Sequence, residues 1–268
     1  MGDFSGKVII VTGGAKGIGR GISLAFTGEG ATVLSADVDV EAGEKIALDA
    51  AALEGELIFK ECDVSKAENC KALVAAAVEA GGVHVLCNNV GIQPTSSYLA
   101  AHELPEEVWD RIIDVNLKSN FLMAQSVVPH MRDQGGGVII NTVSVQGLQS
   151  MKGVSAYAAS KGGQMSLTRQ LALEYASDNI RVLAVNPGTI DTPMVQEALD
   201  YVGGDHEKAR ADMARAHPLR RIGQPEEIAN VVLFLASDKA SFMTGEYVCV
   251  DGGMMAKGAW ADSEDPDE

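Results

Sequence analysis

The 268-residue sequence has few cysteines and no long apolar run. Its four cysteines (Cys62, Cys70, Cys87 and Cys249) form no C-x-x-C pair, which argues against a disulfide framework and favours reduced, mostly buried thiols. No run of about eighteen consecutive apolar residues is present, and the N-terminus lacks the basic and apolar segments of a secretory signal. We therefore expect a cytoplasmic protein without a transmembrane helix or a metal site.

Basic residues are also scarce. Lys and Arg number 21 against 37 Asp and Glu, which gives a formal net charge of −16. Five of these negative charges lie in the last seven residues, so the rest of the chain still carries −11. A body this acidic repels phosphate backbones and anionic lipids, so we expect neither nucleic acid nor a membrane surface as a partner. The like charges at 258–268 predict a flexible tail.

Seven apolar segments of strand length alternate with segments of helical periodicity. The strand segments are near-continuous Val, Ile and Leu runs, typical of strands that are covered on both faces. This alternation predicts an α/β fold of the Rossmann type, a doubly wound parallel sheet with helices on both faces, in a single domain spanning 1–268. An irregular insert at 189–217 is expected to cover the substrate. The predicted strands are 7–12, 31–36, 57–61, 83–88, 138–144, 180–187 and 247–251, and the clearest helices are 17–29, 41–53, 67–80 and 105–132.

A glycine-rich turn, T-G-G-A-K-G-I-G at 12–19, follows the first predicted strand and opens a helix. Glycines let the backbone approach a pyrophosphate at the positive end of that helix. Asp37 ends the second strand, 18 residues after Gly19, where its oxygens can accept hydrogen bonds from ribose hydroxyls; a helix cap is the alternative interpretation. The predicted dinucleotide contacts in this region are Gly13, Lys16, Gly17, Ile18, Gly19 and Asp37.

Asp37 also bears on the choice between the two nicotinamide cofactors. A 2′-phosphate carries about −1.5 to −2 charges, and it would be repelled by a carboxylate a few ångströms away. This favours NAD over NADP. Lys16 points the other way because a base in the glycine turn could meet that phosphate, and its alternative interpretation is an exposed loop lysine.

Tyr157 and Lys161 lie four residues apart, hence on one helix face, and Ser144 ends the fifth predicted strand. With these residues the chain resembles the short-chain dehydrogenase/reductase family, in its shorter branch. The resemblance runs from about residue 7 to 253. It rests on the motifs at 12–19, Asp63-Val64, N-N-V-G at 88–91, Asn116, Ser144, Tyr157 with Lys161, and Pro187-Gly188.

The resemblance implies a role for each of these side chains. Tyr157 would be the general acid and base, and Lys161 would lower the tyrosine pKa and bind the nicotinamide ribose. Ser144 would bond the substrate oxygen, and Asn116 would hold a water in the proton relay. A free tyrosine has a pKa of about 10, so lowering it by two or three units takes roughly 3–4 kcal/mol. Each residue alone has a structural alternative: a packed Tyr, a solvated Lys, a strand-end Ser and a surface Asn.

Further cofactor contacts follow from the same resemblance. Asp63 would contact the adenine ring, although a turn or cap role is its alternative. Val90 stands where the family usually has alanine, which we interpret as a variation in packing or specificity. The remaining expected contacts are Val64, Asn89, Gly91, Pro187, Gly188, Thr189, Ile190 and Thr192.

The substrate is predicted to be a small hydroxylated or carbonyl compound beside Ser144 and Tyr157. Gln93 and Gln146 are neutral amides on the loops expected to face it, and Met194 lies in the insert. Amides favour a sugar, sugar acid or polyol, oxidised to a ketone or lactone, although surface glutamines facing water are the alternative. Two other functions compete: an NADPH-dependent ketoreductase of the 3-oxoacyl-thioester type, and a non-catalytic NAD-binding regulator.

The segments 105–132 and 153–177 read as two long helices with apolar residues on more than one face. One face must cover the sheet, and a second apolar face needs another partner. In the resembling family these two helices pair with their symmetry mates. We therefore expect a homo-oligomer, with a homotetramer favoured over a dimer.

Overall fold

The computed structural model describes residues 2–258 and contains a seven-stranded, fully parallel sheet with helices on both faces. The strand order is β3-β2-β1-β4-β5-β6-β7, which confirms the predicted fold class. The predicted flexible tail lies outside the described residues, except for its first residue. The strands are β1 (Val8–Thr12), β2 (Thr32–Asp37), β3 (Glu56–Glu61), β4 (Val85–Asn88), β5 (Gly137–Thr142), β6 (Ile180–Pro187) and β7 (Tyr247–Val250).

Helices connect the strands. A π-helical turn, Asp114–Lys118, joins α4 to α5, so the segment predicted as one helix over 105–132 carries a defect near its centre. The α-helices are α1 (Gly17–Gly28), α2 (Val40–Asp49), α3 (Ala67–Glu79), α4 (Glu106–Ile113), α5 (Ser119–Asp133), α6 (Ser155–Tyr175), α7 (Pro193–Val202), α8 (His206–Arg215) and α9 (Pro225–Ala236).

Two apolar cores sandwich the sheet. Ile9 and Val11 of β1 pack with α1 and α9 in one core, whereas Val8 and Ile10 pack with α3 and α5 in the other. Successive side chains on a strand point to opposite faces, so both faces of β1 must be apolar. Each such side chain contributes about 1.5–3 kcal/mol when fully buried. This explains why the strands read as continuous apolar runs.

Two sequence expectations need correction. The fifth strand ends at Thr142, and Ser144 lies beyond it as the cap of a short 3₁₀ turn. The insert predicted as irregular at 189–217 contains α7 and α8. Within α8 no residue is buried, so the segment has no apolar stripe that would have marked it as a helix.

The chain order reverses between β1 and β4, which lie side by side in the sheet. In doubly wound sheets, ligands bind at the carboxyl ends of the strands beside such a reversal. The glycine turn after β1 and the 88–91 motif after β4 both lie at this edge. Among the described residues no helix is long and apolar enough to cross a membrane.

Candidate active site

The glycine turn after β1 is closely packed against the start of α1. Gly13 has a positive φ of 62°, and a Cβ on Gly19 would overlap the Gly13 carbonyl oxygen. The Asn89 side chain donates a hydrogen bond to that same oxygen at 3.2 Å, which ties the turn to the end of β4. Neither a side-chain cap nor an acidic residue occupies the first turn of α1. Its first N–H groups and its positive dipole end are therefore suited to an anion such as a pyrophosphate.

Asp37 faces this turn from the end of β2. Its carboxylate accepts hydrogen bonds from the backbone N–H of Ala15 (3.2 Å) and of Asp39 (3.1 Å). The cap of α2 is Asp39, whose side chain accepts from Ala42 N–H. Asp37 therefore does not serve as the helix cap that was its alternative interpretation.

Lys16 does not point freely into the turn. Its ammonium forms an ion pair with Asp39 at 2.7 Å, and the hydrogen bond to Asp39 raises the pKa of Lys16. The same hydrogen bond lowers the pKa of Asp39. Both side chains are substantially solvent-exposed, so this pair adds little to stability.

A cleft of about 400 Å³ lies beside Val38 and Asp63, at the ends of β2 and β3. The Asp63 carboxylate accepts hydrogen bonds from the Ser65 backbone N–H and hydroxyl, at 3.0 and 2.6 Å. Burial opposes ionisation of Asp63, but the two Ser65 bonds together with the positive charges of Arg111 and Lys66 outweigh it, so the pKa of Asp63 is lowered. Val64 is buried. The cleft is lined by Val38, Lys60, Glu61, Cys62, Asp63, Asn69, Ala72, Leu73 and Ala76.

Asn116 lies in the π-helical turn and is fully buried. Its side-chain oxygen accepts from Ile92 N–H at 2.8 Å, and its amide nitrogen donates to Ile92 O at 3.0 Å and to Ser160 Oγ at 3.2 Å. These bonds hold the loop after β4 in place. Both polar atoms of the Asn116 side chain are therefore engaged by protein groups.

Ser144, just after β5, and Tyr157, near the start of α6, meet each other. The Ser144 hydroxyl hydrogen-bonds the Tyr157 phenol, and it also accepts from Gln146 N–H at 3.1 Å. Burial raises the pKa of Tyr157 to about 12, an effect that the Ser144 bond reduces and the nearby Tyr98 increases.

Lys161 lies one turn further along α6. Its Nζ donates to the Thr142 carbonyl at 3.0 Å, and burial lowers the pKa of Lys161 to about 7. Without a cofactor, the protein's own groups therefore do not lower the pKa of Tyr157, although a lowering by Lys161 was expected. Burial disfavours the charged form of both side chains and outweighs their mutual attraction.

The loop after β6 closes the site on the other side. Gly188 packs so closely against His217 that a Cβ there would clash with the imidazole. His217 Nδ1–H donates to Asp251 O at 2.6 Å, while Nε2 accepts from Thr189 N–H at 3.4 Å. Thr192 stands against Gly17 of the glycine turn, so the two loops meet. Pro187 ends β6, and Ile190 is buried.

The expected substrate residues are less closely gathered. Gln146 and Met194 are both half-buried, and the Gln146 Oε1 atom has no protein partner among the described residues. Gln93 is half-buried on the loop after β4. Tyr98 is a site residue that no sequence pattern predicts. Its ring contacts that of Tyr201, an insert residue whose direction the sequence leaves open, with centroids 5.5 Å apart and the planes tilted by 36°, so the loop after β4 is joined to α7. Neither lies in a recognisable motif, so only the fold brings them to the site.

These residues together fit a nicotinamide dinucleotide. The glycine turn provides a close backbone approach, α1 has no side-chain cap at its N-terminus, and Asp37 provides carboxylate acceptors beside the turn. A Cβ on Gly91 would lie 3.3 Å from Lys161 Nζ, so this glycine leaves room beside the buried lysine. Within residues 2–258 no group of three or more His, Cys, Asp or Glu side chains is placed to hold a metal ion.

Comparison with known proteins agrees with this geometry. A family profile described as enoyl-(acyl carrier protein) reductase matches residues 13–255. Cyclohexanol dehydrogenase of Acinetobacter sp. (strain SE19) is 39% identical, covering 95% of this chain and 97% of that protein. A 3-oxoacyl-(acyl-carrier-protein) reductase of Thermotoga maritima is 41% identical, covering 93% and 98%. The crystal structure of Thermoplasma acidophilum aldohexose dehydrogenase superposes with a TM-score of 0.85 at 37% identity, covering 96% of each chain.

Proposed function

Since this chain belongs to the short-chain dehydrogenase/reductase family and is an oxidoreductase of alcohols and carbonyls, we propose that it is an NAD-dependent dehydrogenase of a secondary alcohol. The observation that carries this proposal is the meeting of Ser144, Tyr157 and Lys161 beside the glycine turn. The three residues come from the segment after β5 and from α6, and each would have a separate part in the reaction.

The chain's own residues would bind the cofactor along the carboxyl edge of the sheet. Bound NAD⁺ would supply a nicotinamide ring that accepts a hydride from the carbinol carbon. Asp37 would accept hydrogen bonds from the adenosine ribose, and Lys161 from its buried position would bond the nicotinamide ribose. The remaining contacts would be Gly13, Lys16, Gly17, Ile18 and Gly19 at the pyrophosphate, Asp63 and Val64 at the adenine, and Asn89, Gly91, Pro187, Gly188, Thr189, Ile190 and Thr192 at the nicotinamide half.

Tyr157 would move the proton. In oxidation its phenolate oxygen takes the proton of the substrate hydroxyl, and in reduction the phenol returns that proton to the carbonyl oxygen. Ser144 holds the substrate oxygen beside Tyr157 by the hydroxyl that now bonds the phenol. Lys161, whose pKa burial lowers to about 7, would hold a proton next to the phenolate as it forms. Asn116 would fix the loop that faces this group. Its backbone carbonyl accepts one hydrogen bond from Gln164, and the second lone pair of that carbonyl would hold a relay water.

The arrangement around Asp37 supports NAD rather than NADP. The base that could have met a 2′-phosphate, Lys16, is paired with Asp39. The Lys16–Asp39 pair has no net charge, so Asp37 leaves a net negative charge beside the turn, and Val38 between the two aspartates offers no positive charge. Like charges a few ångströms apart cost several kcal/mol near a surface.

We propose a sugar, sugar acid or polyol as the substrate, with a ketone or lactone as the product. Gln146 lies two residues beyond Ser144 with an unpartnered amide oxygen, which suits a second substrate hydroxyl. Gln93 could supply a further amide, and Met194 of α7 together with the stacked pair Tyr98 and Tyr201 would cover the apolar face of a ring. The similarity to an aldohexose dehydrogenase and to a cyclohexanol dehydrogenase supports a six-membered ring.

A second candidate is an NADPH-dependent 3-oxoacyl-thioester reductase, which the 41% identity to such a reductase favours. One experiment separates the two. The protein is incubated with NAD⁺ or NADP⁺ and a panel of cyclic alcohols, sugars, sugar acids and polyols, and with NADPH and a 3-oxoacyl thioester, while the absorbance of the reduced cofactor is followed. Turnover of a ring alcohol or sugar with NAD⁺ supports the first function, and turnover of the thioester alone supports the second.

We also propose that the enzyme is a cytoplasmic homotetramer. The exposed faces of α5 and α6 carry Phe121 and Leu173, whose side chains are 49% and 80% exposed. Large apolar side chains so exposed on neighbouring long helices favour burial against a second copy. Arg169, also exposed on α6, is charged, so the contact would be mixed in character.

A further inference from the structure

Behind the Tyr157–Lys161 pair, α6 packs tightly against the π-helical turn. A Cβ on Gly163 would lie only 2.7 Å from the Leu117 side chain, so glycine permits this approach. The next residue, Gln164, is fully buried, and its Nε2 donates a hydrogen bond to the backbone carbonyl of Asn116 at 2.7 Å. A side chain of α6 thus bonds directly to the backbone of the π-helical turn.

The bond lies at a break in the regular helix. In a π-helical turn the backbone bonds run from residue i to residue i+5, so the α-helical pattern of bonds is interrupted at Asp114–Lys118. Asn116 is fully buried there, and a hydrogen-bond donor to its carbonyl stabilises the turn. The Gln164 amide supplies the donor from outside the helix, at the residue whose side chain faces the site.

From Asn116 the contacts continue to the reacting groups. The Asn116 side chain bonds both backbone groups of Ile92, at 2.8 and 3.0 Å. The preceding residue, Gly91, lies against Lys161, since a Cβ there would be 3.3 Å from Nζ and 3.9 Å from Asn116 Oδ1. A displaced Asn116 would therefore move the wall that keeps Lys161 buried.

We propose that Gln164 is a positioning residue for the active site. It fixes Asn116 in the π-helical turn, and through Asn116 it holds the loop after β4 against Lys161. The structural part of this proposal is independent of the reaction. Its catalytic consequence rests on the proposed function.

A second observation supports a role beyond packing. The Oε1 atom of Gln164 is buried and has no hydrogen-bond partner among the described residues. An unpaired buried acceptor is unfavourable, so the Oε1 atom gives no reason for an amide at this position. The amide is useful here for its N–H donor.

The test compares Gln164→Met, which keeps the length and removes the donor, with Gln170→Met on the exposed face of the same helix. Gln170 bonds only to Glu174 at the surface, so it controls for the change in helix composition. Amide hydrogen exchange is measured in the full-length protein. Because Asn116 accepts the Ile92 N–H, we expect exchange at Ile92 to be at least about tenfold faster in Gln164→Met and unchanged in Gln170→Met. Unchanged exchange at Ile92 in Gln164→Met would overturn the proposal, whether or not the enzyme turns over any alcohol.

A kinetic arm tests the catalytic consequence. We expect kcat of Gln164→Met to fall at least about tenfold while KM for the substrate changes little. Small displacements of reacting groups slow the chemical step in this way. Gln164→Glu separates the donor from the shape: burial raises the pKa of such a carboxyl, and its protonated form can donate to the Asn116 carbonyl. Gln164→Glu should therefore approach wild-type kcat at pH 6 and lose it as the pH rises. A wild-type kcat in Gln164→Met, or a Gln164→Glu variant with no more activity relative to wild type at pH 6 than at pH 9, contradicts the positioning role. If Gln164→Met does not fold, the pH dependence of Gln164→Glu decides alone.

Discussion

The Nζ atom of Lys161 lies 5.5 Å from the centroid of the Tyr157 ring, and both side chains are more than nine-tenths buried. Burial raises the pKa of the tyrosine to about 12 and lowers that of the lysine to about 7. The protein therefore disfavours both charges, and the proton-transfer group costs stability instead of adding to it. This relationship gives a prediction that needs no knowledge of the substrate.

Replacing Lys161 by Met should stabilise the protein most at low pH. The folded-state pKa of Lys161 is below its unfolded value of 10.5, so the unfolded chain binds more protons between about pH 7 and 10.5. The cost of burying Lys161 is thus largest at and below pH 7 and shrinks as the pH rises toward 10.5. Thermal unfolding of Lys161→Met and of wild type is measured at pH 6, 8 and 10. The Tm of the variant minus the Tm of wild type should decrease as the pH rises.

The change of the Tm difference with pH is the test, not its absolute size. Methionine also removes the donor to the Thr142 carbonyl, which lowers the Tm of the variant at every pH. Lys45→Met, at an exposed position on α2, serves as the reference for loss of a positive charge. A Tm difference that is the same at all three pH values, or that grows in favour of Lys161→Met at pH 10, would contradict the buried, neutral lysine.

The preference for NAD should depend on Asp37. Wild type should use NAD⁺ with a higher kcat/KM than NADP⁺, and Asp37→Asn should narrow that ratio because the repulsion of a 2′-phosphate is removed. Asp49→Asn is the matched control, since Asp49 is an acidic residue that pairs with Arg20 outside the glycine turn. Equal or better use of NADP⁺ by wild type would mean that Lys16 outweighs the carboxylate.

Gly19→Ala should abolish cofactor binding, whereas Gly28→Ala on the same helix should not. A Cβ at Gly19 would overlap the Gly13 carbonyl, so the turn must move, while a Cβ at Gly28 meets nothing within 4 Å. Alanine at Gly28 should even stabilise the helix by about 0.5–1 kcal/mol. Titration of intrinsic fluorescence with NADH measures binding in both variants. NADH affinity of wild-type strength in Gly19→Ala would rule out a cofactor held by this turn.

The assembly prediction is tested by light scattering at micromolar concentration. We expect a mass of four times 28.1 kDa for wild type. A charge at both exposed positions, Phe121→Glu with Leu173→Glu, should reduce that mass because the apolar contact is lost. A wild-type mass near 28.1 kDa would contradict assembly altogether, and twice that mass would contradict only the tetramer.

The sequence predicts the sheet well because both faces of each central strand are buried, so each of these strands is a continuous run of apolar residues. It also predicts the pairing of Tyr157 with Lys161, since a spacing of four places both on one helix face. The end of β5 was placed too late because Val143 and Val145 are apolar and buried beyond the last strand residue, so composition does not change there.

Other parts of the site depend on contacts that are distant in the chain. The spacing of apolar residues does not reveal the π-helical turn. The role of Asn116 depends on its hydrogen bond with Ile92, which is 24 residues away in the chain. In the sequence Gln164 is an ordinary polar residue of a long helix, and only the fold shows that it lies beside the Asn116 carbonyl. Tyr98 and Tyr201 meet only because α7 folds back over the loop after β4.

The most direct test of the account is the turnover of Tyr157→Phe with NAD⁺ and a substrate that wild type accepts. Only the proton-transfer hydroxyl is removed, so kcat should fall by about 10²–10⁴-fold or more while the affinity for NADH stays close to that of wild type. Tyr175→Phe, at the far end of the same helix, should keep wild-type activity. A Tyr157→Phe enzyme that retained more than about a hundredth of the wild-type rate would contradict the assignment of Tyr157 as general base and acid.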